Sequence, residues 1–143
     1  MPNAKTSASF LTPALIASSL GFVLVTLDVT VVNVALERIQ ASLGASVTGL
    51  QWVVNAYTLV FASLLLTAGA LGDRFGAKRV FVAGVALFTM ASAGCGMANG
   101  IVMLVAARVV QGVGAALCLP SSLALLRASF PETATRAKAV GLW

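Results

Sequence analysis

Four long apolar runs, 11–36, 50–71, 80–98 and 101–126, make up most of the chain, and its polar residues gather in the gaps between them. Within the runs the only charged residues are Asp28 and Arg108. A helix rising ~1.5 Å per residue needs about 20 residues to cross ~30 Å of hydrocarbon, and each run meets or approaches that length. Only helices or closed barrels satisfy their backbone polar groups in lipid, and no period-two alternation points to barrel strands. The pattern predicts an all-α membrane protein with four transmembrane helices.

The gaps carry suitable punctuation. Thr12-Pro13 reads as an N-cap followed by proline at the first helical position, where its missing N–H costs nothing. Gly72–Arg79 reads as a short loop between the second and third spans, and Asn99-Gly100 as a tight turn between the third and fourth. Pro120, inside the fourth run, is expected to bend it. Residues 1–10 read as a short tail. The first run is too long for a signal-peptide core, follows a single Lys5 and contains an acid. After the linker 127–138 the sequence turns apolar again at Ala139-Val140-Gly141-Leu142-Trp143, which reads as the start of a fifth span at about 139. The chain is therefore expected to be the N-terminal piece of a longer polypeptide.

Composition narrows the function classes. Of the 143 residues, 59% are hydrophobic and only 9% charged, against roughly 25% charged in ordinary soluble domains. A water-soluble enzyme is excluded on that ground, as is a disordered tail. The net charge of +5 could suggest nucleic acid. The basic residues, however, sit in short gaps between spans, where membrane topology accounts for them. With a cytoplasmic N-terminus, Lys5, Arg74, Lys78, Arg79, Arg127, Arg136 and Lys138 all fall inside and only Arg38 outside. The positive-inside rule therefore predicts that orientation. The absence of His removes imidazole metal sites and histidine-based catalysis, and no cofactor is called for.

A charged side chain at mid-membrane costs about 2.5–3.5 kcal/mol on insertion scales, so Asp28 and Arg108 need a reason to be there. Asp28 lies eight residues before the end of its run at Leu36, and Arg108 eight residues after Gly100. The two spans run in opposite directions, so both residues lie ~12 Å below the outer surface, level with one another. They can pair if their helices are neighbours. Ala17, Gly21, Asp28 and Ala35 form a stripe of mostly small residues on the first helix, while Thr26, Thr30 and Asn33 occupy its opposite side. Gln111 lies one turn from Arg108. One reading makes the pair a structural lock, or lets Arg108 snorkel to the interface. The other makes Asp28 a proton carrier and Arg108 its modulator, because burial favours the neutral carboxyl and a nearby guanidinium the charged one. Trp52, Tyr57 and Trp143 read as interface anchors, and Gly84, Gly94 and Gly96 as packing positions. Cys95 and Cys118 are ~20 Å apart in depth, too far for a disulfide.

Three stretches together resemble the major facilitator superfamily. Leu27-Asp28-Val29-Thr30-Val31-Val32-Asn33-Val34-Ala35-Leu36 is similar to the first-helix signature of its fourteen-helix drug:proton antiporters. Gly69-Ala70-Leu71-Gly72-Asp73-Arg74-Phe75-Gly76-Ala77-Lys78-Arg79 resembles the superfamily's loop motif, and Arg108-Val109-Val110-Gln111-Gly112-Val113-Gly114-Ala115-Ala116 its proton-coupling motif. Glu37 stands where the family usually has proline, and Ala77 where it usually has a basic residue. The resemblance implies the first four helices, plus the start of a fifth, of an N-terminal transporter bundle. Asp28 and Arg108 would take part in proton coupling, Thr30, Asn33 and Gln111 would line the cavity, and Gly69, Asp73, Arg74, Gly76 and Lys78 would form a cytoplasmic gate.

The expected function is the N-terminal part of a multi-pass, proton-coupled multidrug exporter of the cell (inner) membrane. Its partners would be the lipid bilayer, protons, amphipathic drug-like or cationic small molecules, and the missing C-terminal half of the same polypeptide. Two alternatives stay open. A complete four-helix drug transporter working as a dimer would resemble the small multidrug resistance family, which carries a Glu in its first helix where this chain has none. A non-transporting membrane scaffold would need neither Asp28 nor Arg108 charged.

Overall fold

The computed structural model describes residues 13–129 and 140–141. Its elements are α1 (Pro13–Leu43), α2 (Val47–Phe75), α3 (Ala77–Gly96) and α4 (Ile101–Ser129). All four are long and apolar enough to cross a membrane. Of the expected fifth span, only Val140 and Gly141 are described, both helical. The residue 1–10 tail, Thr12, most of the 127–138 linker and Trp143 lie outside the described residues.

The helices run on past the apolar runs. α1 continues through Glu37, Arg38 and Gln40 to Leu43, and a three-residue connection leads to α2. Gly44 in that connection has φ 60°, and Ser46 caps α2 by accepting from the Gly49 N–H at 3.1 Å. The expected loop Gly72–Arg79 is almost wholly helical, with Gly76 alone separating α2 from α3. The reason is local. Asp73, Arg74, Lys78 and Arg79 are compatible with helix, and the chain reverses at one residue because Gly76 adopts φ 93°. α4 passes through Pro120 as one uninterrupted helix.

α4 is the centre of the bundle. It packs most heavily on α3 and α2 and more lightly on α1, and small residues explain how it fits. A Cβ at Gly112 would lie 2.8 Å from the Tyr57 carbonyl oxygen of α2, and one at Gly114 would lie 2.7 Å from the Phe88 nitrogen of α3. Two residues apart is about 200° around a helix, so these glycines open opposite faces of α4 to neighbouring backbones. Gly84 does the same from α3, where a Cβ would meet Leu117 at 2.9 Å. Gly94 faces Ala107 more loosely, and around Gly96 nothing lies within 4 Å, so Gly96 is not a packing position among the described residues.

A stability prediction follows. Gly114→Ala forces a methyl into the Phe88 backbone and is expected to cost about 2–3 kcal/mol, in the overpacking range. Gly96→Ala, facing open space, is expected to stay within about 0.5 kcal/mol. Thermal unfolding of the two variants in detergent checks the contrast.

Candidate functional site

The packing of α4 brings Asp28 and Arg108 into contact. Arg108 Nη1 donates to Asp28 Oδ2 at 2.5 Å, and the two side chains are 2% and 12% exposed respectively. Gln111, three residues along α4, shares the face of Arg108 and completes a triad. Its Nε2 donates to Asp28 Oδ1 at 2.6 Å, while its Oε1 accepts from Arg108 Nη1 at 2.9 Å. Both carboxylate oxygens therefore accept from donors, one of them cationic. Arg108 Nε donates to the Val53 carbonyl of α2 at 3.1 Å, and its guanidinium carbon lies 4.2 Å from the centroid of the Tyr57 ring. From α3, Cys95 Sγ donates to Gln111 Oε1 at 3.4 Å. All four helices contribute to this network.

Two cavities meet at Asp28. One, of about 380 Å³, is lined by Asp28, Arg108 and Gln111 together with Ala35, Ile39 and Ser42, successive turns of α1. It extends from the triad towards the end of the bundle remote from Arg74, Lys78 and Arg79. The other, of about 480 Å³, lies between α1 and α3 and is lined by Thr89 and by Ser92, which also borders the first. Polar groups in a space of this size give water the partners it needs.

The remaining expected site residues lie elsewhere. Thr30 and Asn33 are exposed on α1 and line neither cavity, and Thr30 Oγ1 donates to the Thr26 carbonyl at 3.3 Å. The structure thus joins Gln111 to the pair and leaves Thr30 and Asn33 on another face. At the basic end, Gly69 and Asp73 line a third cavity, of about 350 Å³, with Pro120, Ser121 and Arg127 of α4. Arg74 lies over the Phe75 ring at 5.5 Å, and Lys78 is exposed at the start of α3. Tyr57 is a correction: it is buried at 4% exposure against Arg108 rather than placed at an interface, while Trp52 is exposed. A depth count would have found it. Tyr57 lies ten residues into α2, ~15 Å along it, near the level of the charged pair.

Residues 18–143 match the sequence profile of the Major Facilitator Superfamily. The chain belongs to the Major Facilitator Superfamily. Its relatives in that superfamily include the Methylenomycin A resistance protein of Bacillus subtilis (strain 168), 52% identical over 90% of this chain and 28% of that protein. The protein of the same name from Streptomyces coelicolor is 54% identical over 89% of the chain and 27% of its own length. Multidrug resistance protein Stp of Mycobacterium tuberculosis is 46% identical over 90% and 24%. The chain therefore spans about a quarter of the length of these relatives. As a Major Facilitator Superfamily member with four membrane-length helices, it is a multi-pass membrane protein of a transporter family.

Proposed function

We propose that this chain forms the N-terminal part of a proton-coupled multidrug efflux transporter that works by alternating access between two helical halves. The observation that carries the reading is the Asp28–Arg108–Gln111 triad, buried at membrane depth among four helices. An ion pair in that position is costly unless it does something, and ionisable groups inside membranes mark ion and substrate pathways. Asp28 carries the proton. Arg108, which stays charged, sets how readily Asp28 gives it up. The relatives' names refer to an antibiotic and to multiple drugs, which supports amphipathic or cationic drug-like molecules as the substrate class.

α1 divides the labour between its faces. Asp28 looks towards α4, whereas Thr30 and Asn33 are exposed on a separate face and serve the drug path shared with the C-terminal half. At the other end, Gly69, Asp73, Arg74, Gly76 and Lys78 form the cytoplasmic gate: Gly76 holds the sharp reversal and Asp73 faces the cavity that Arg127 also lines. The N-terminus is cytoplasmic and the membrane is the inner one, in keeping with the basic residues at that end.

The test is dye efflux from bacteria that lack their own exporters and express the full-length transporter containing this segment. Efflux is expected to stop within minutes of adding a protonophore and to survive ATP depletion while the gradient is maintained. ATP-dependent, gradient-independent efflux would contradict the reading. The 143-residue chain alone, reconstituted in liposomes, is expected to accumulate nothing, because the drug path needs the facing half.

A further inference from the structure

We infer that Tyr57 is a positioning residue for Arg108: with the Val53 carbonyl it holds the guanidinium from α2 and keeps it seated while Asp28 carries a proton. The inference rests on the proton-coupled reading above and says which helix lets go when that proton arrives.

Arg108 is held by different nitrogens in different directions. Nη1 serves the links to Asp28 of α1 and to Gln111 of its own helix, whereas Nε serves the Val53 carbonyl of α2. Val53 and Tyr57 are four residues apart, so α2 presents a carbonyl oxygen and the ring one above the other on the same face. The ring is itself fixed. It stacks parallel to Phe61, with centroids 6.1 Å apart, and α4 lies against its backbone because Gly112 has no Cβ. The Tyr57 hydroxyl is buried without a hydrogen-bond partner among the described residues, so the contact with Arg108 belongs to the ring rather than to the phenol.

Protonation of Asp28 weakens the bonds it accepts from Arg108 Nη1 and Gln111 Nε2 and leaves the Nε–Val53 bond and the ring contact in place. A buried guanidinium whose paired carboxylate is neutralised would otherwise be left uncompensated. The π face of Tyr57 compensates it by cation–π attraction, and the Val53 carbonyl does so by a charge-assisted hydrogen bond. Asp28 is bonded to Arg108 and Gln111 of α4, Cys95 of α3 lines the same cavity, and Tyr57 of α2 lies against Arg108. Of these, Tyr57 is the one from a neighbouring helix that still contacts the guanidinium when the acid is neutral. The α2–α4 contact therefore persists through the cycle, and α1 is the helix freed to move.

Two measurements on the full-length transporter decide the matter. The first is the pH profile of efflux in proteoliposomes. Tyr57→Leu keeps an apolar side chain but removes the ring, and is expected to move the half-maximal pH about one unit towards acid, a tenfold rise in the proton activity needed. Tyr57→Phe is expected to restore the parent profile. A Leu profile at the parent pH, or a Phe profile shifted as far as that of Leu, would overturn the inference. The second is a thermal-unfolding cycle that does not depend on transport. Tyr57→Leu is expected to lower Tm more in the Asp28→Asn background, where the anionic partner of Arg108 is gone, than in the parent. An equal or smaller drop would overturn the inference. If efflux proves indifferent to pH in the parent, the proton-coupled reading fails while the cycle still decides who holds Arg108.

Discussion

Asp28→Asn is expected to leave the transporter inserted and folded while reducing drug efflux in energised vesicles to the level seen without a gradient. Asn matches Asp in shape and can still accept from Arg108, but it can neither bind nor release a proton. A potential of ~100 mV supplies ~2.3 kcal/mol for each charge moved, worth roughly a 50-fold concentration ratio, and that drive disappears with the carrier. Folding is expected to survive because a neutral side chain at position 28 imitates the protonated state that the proposed cycle passes through. The contacts of Arg108 with Val53 and Tyr57 do not depend on the charge at position 28 and are expected to remain. Dye efflux in energised vesicles, alongside the yield of monodisperse protein, measures both halves of the claim. Efflux at the parent rate would make Asp28 a structural residue.

Removing Arg108 should be more damaging to the fold. Its side chain is 2% exposed and ties α4 to α1 through Asp28 and to α2 through Val53. Arg108→Leu strands a buried carboxylate, and breaking a buried pair from one side costs about 3–5 kcal/mol. The variant is expected to give little folded protein. Asp28→Asn/Arg108→Leu removes both charges and is expected to recover most of the folded yield without recovering efflux. Arg108→Lys is expected to resemble the Leu variant in transport, because one ammonium cannot reach the Val53 carbonyl, Asp28 and Gln111 while lying flat on the Tyr57 ring. Thermal unfolding of the four proteins in one detergent tests the cycle. A double variant as unstable as Arg108→Leu alone would show that volume rather than charge governs the site.

The parts of this architecture visible in the sequence are those governed by hydropathy and helical rise. The long apolar runs mark the spans, and their alternating directions place Asp28 and Arg108 at one depth. Helix ends are harder to see. Hydropathy falls at Glu37 and again at Asp73, yet a helix continues through both, because leaving hydrocarbon does not break backbone hydrogen bonds. Lateral neighbours are also invisible to a linear count. α1 is polar on two faces, and only packing determines that the Asp28 face meets α4 while Thr30 and Asn33 do not. Gln111 was legible because its three-residue offset from Arg108 on a helix fixes a shared face. Tyr57 was missed because aromatic residues in membrane helices so often sit at interfaces that its depth was not weighed. The Val53 contribution could not have been read, since a backbone carbonyl leaves no trace in residue type.

In the proposed exchange, drug binding displaces a proton from Asp28, and that release can be measured without a membrane. Purified full-length transporter in weakly buffered detergent, with a pH-indicator dye, is expected to release protons on drug addition, whereas Asp28→Asn binds drug and releases none. Equal release from both proteins would contradict the account.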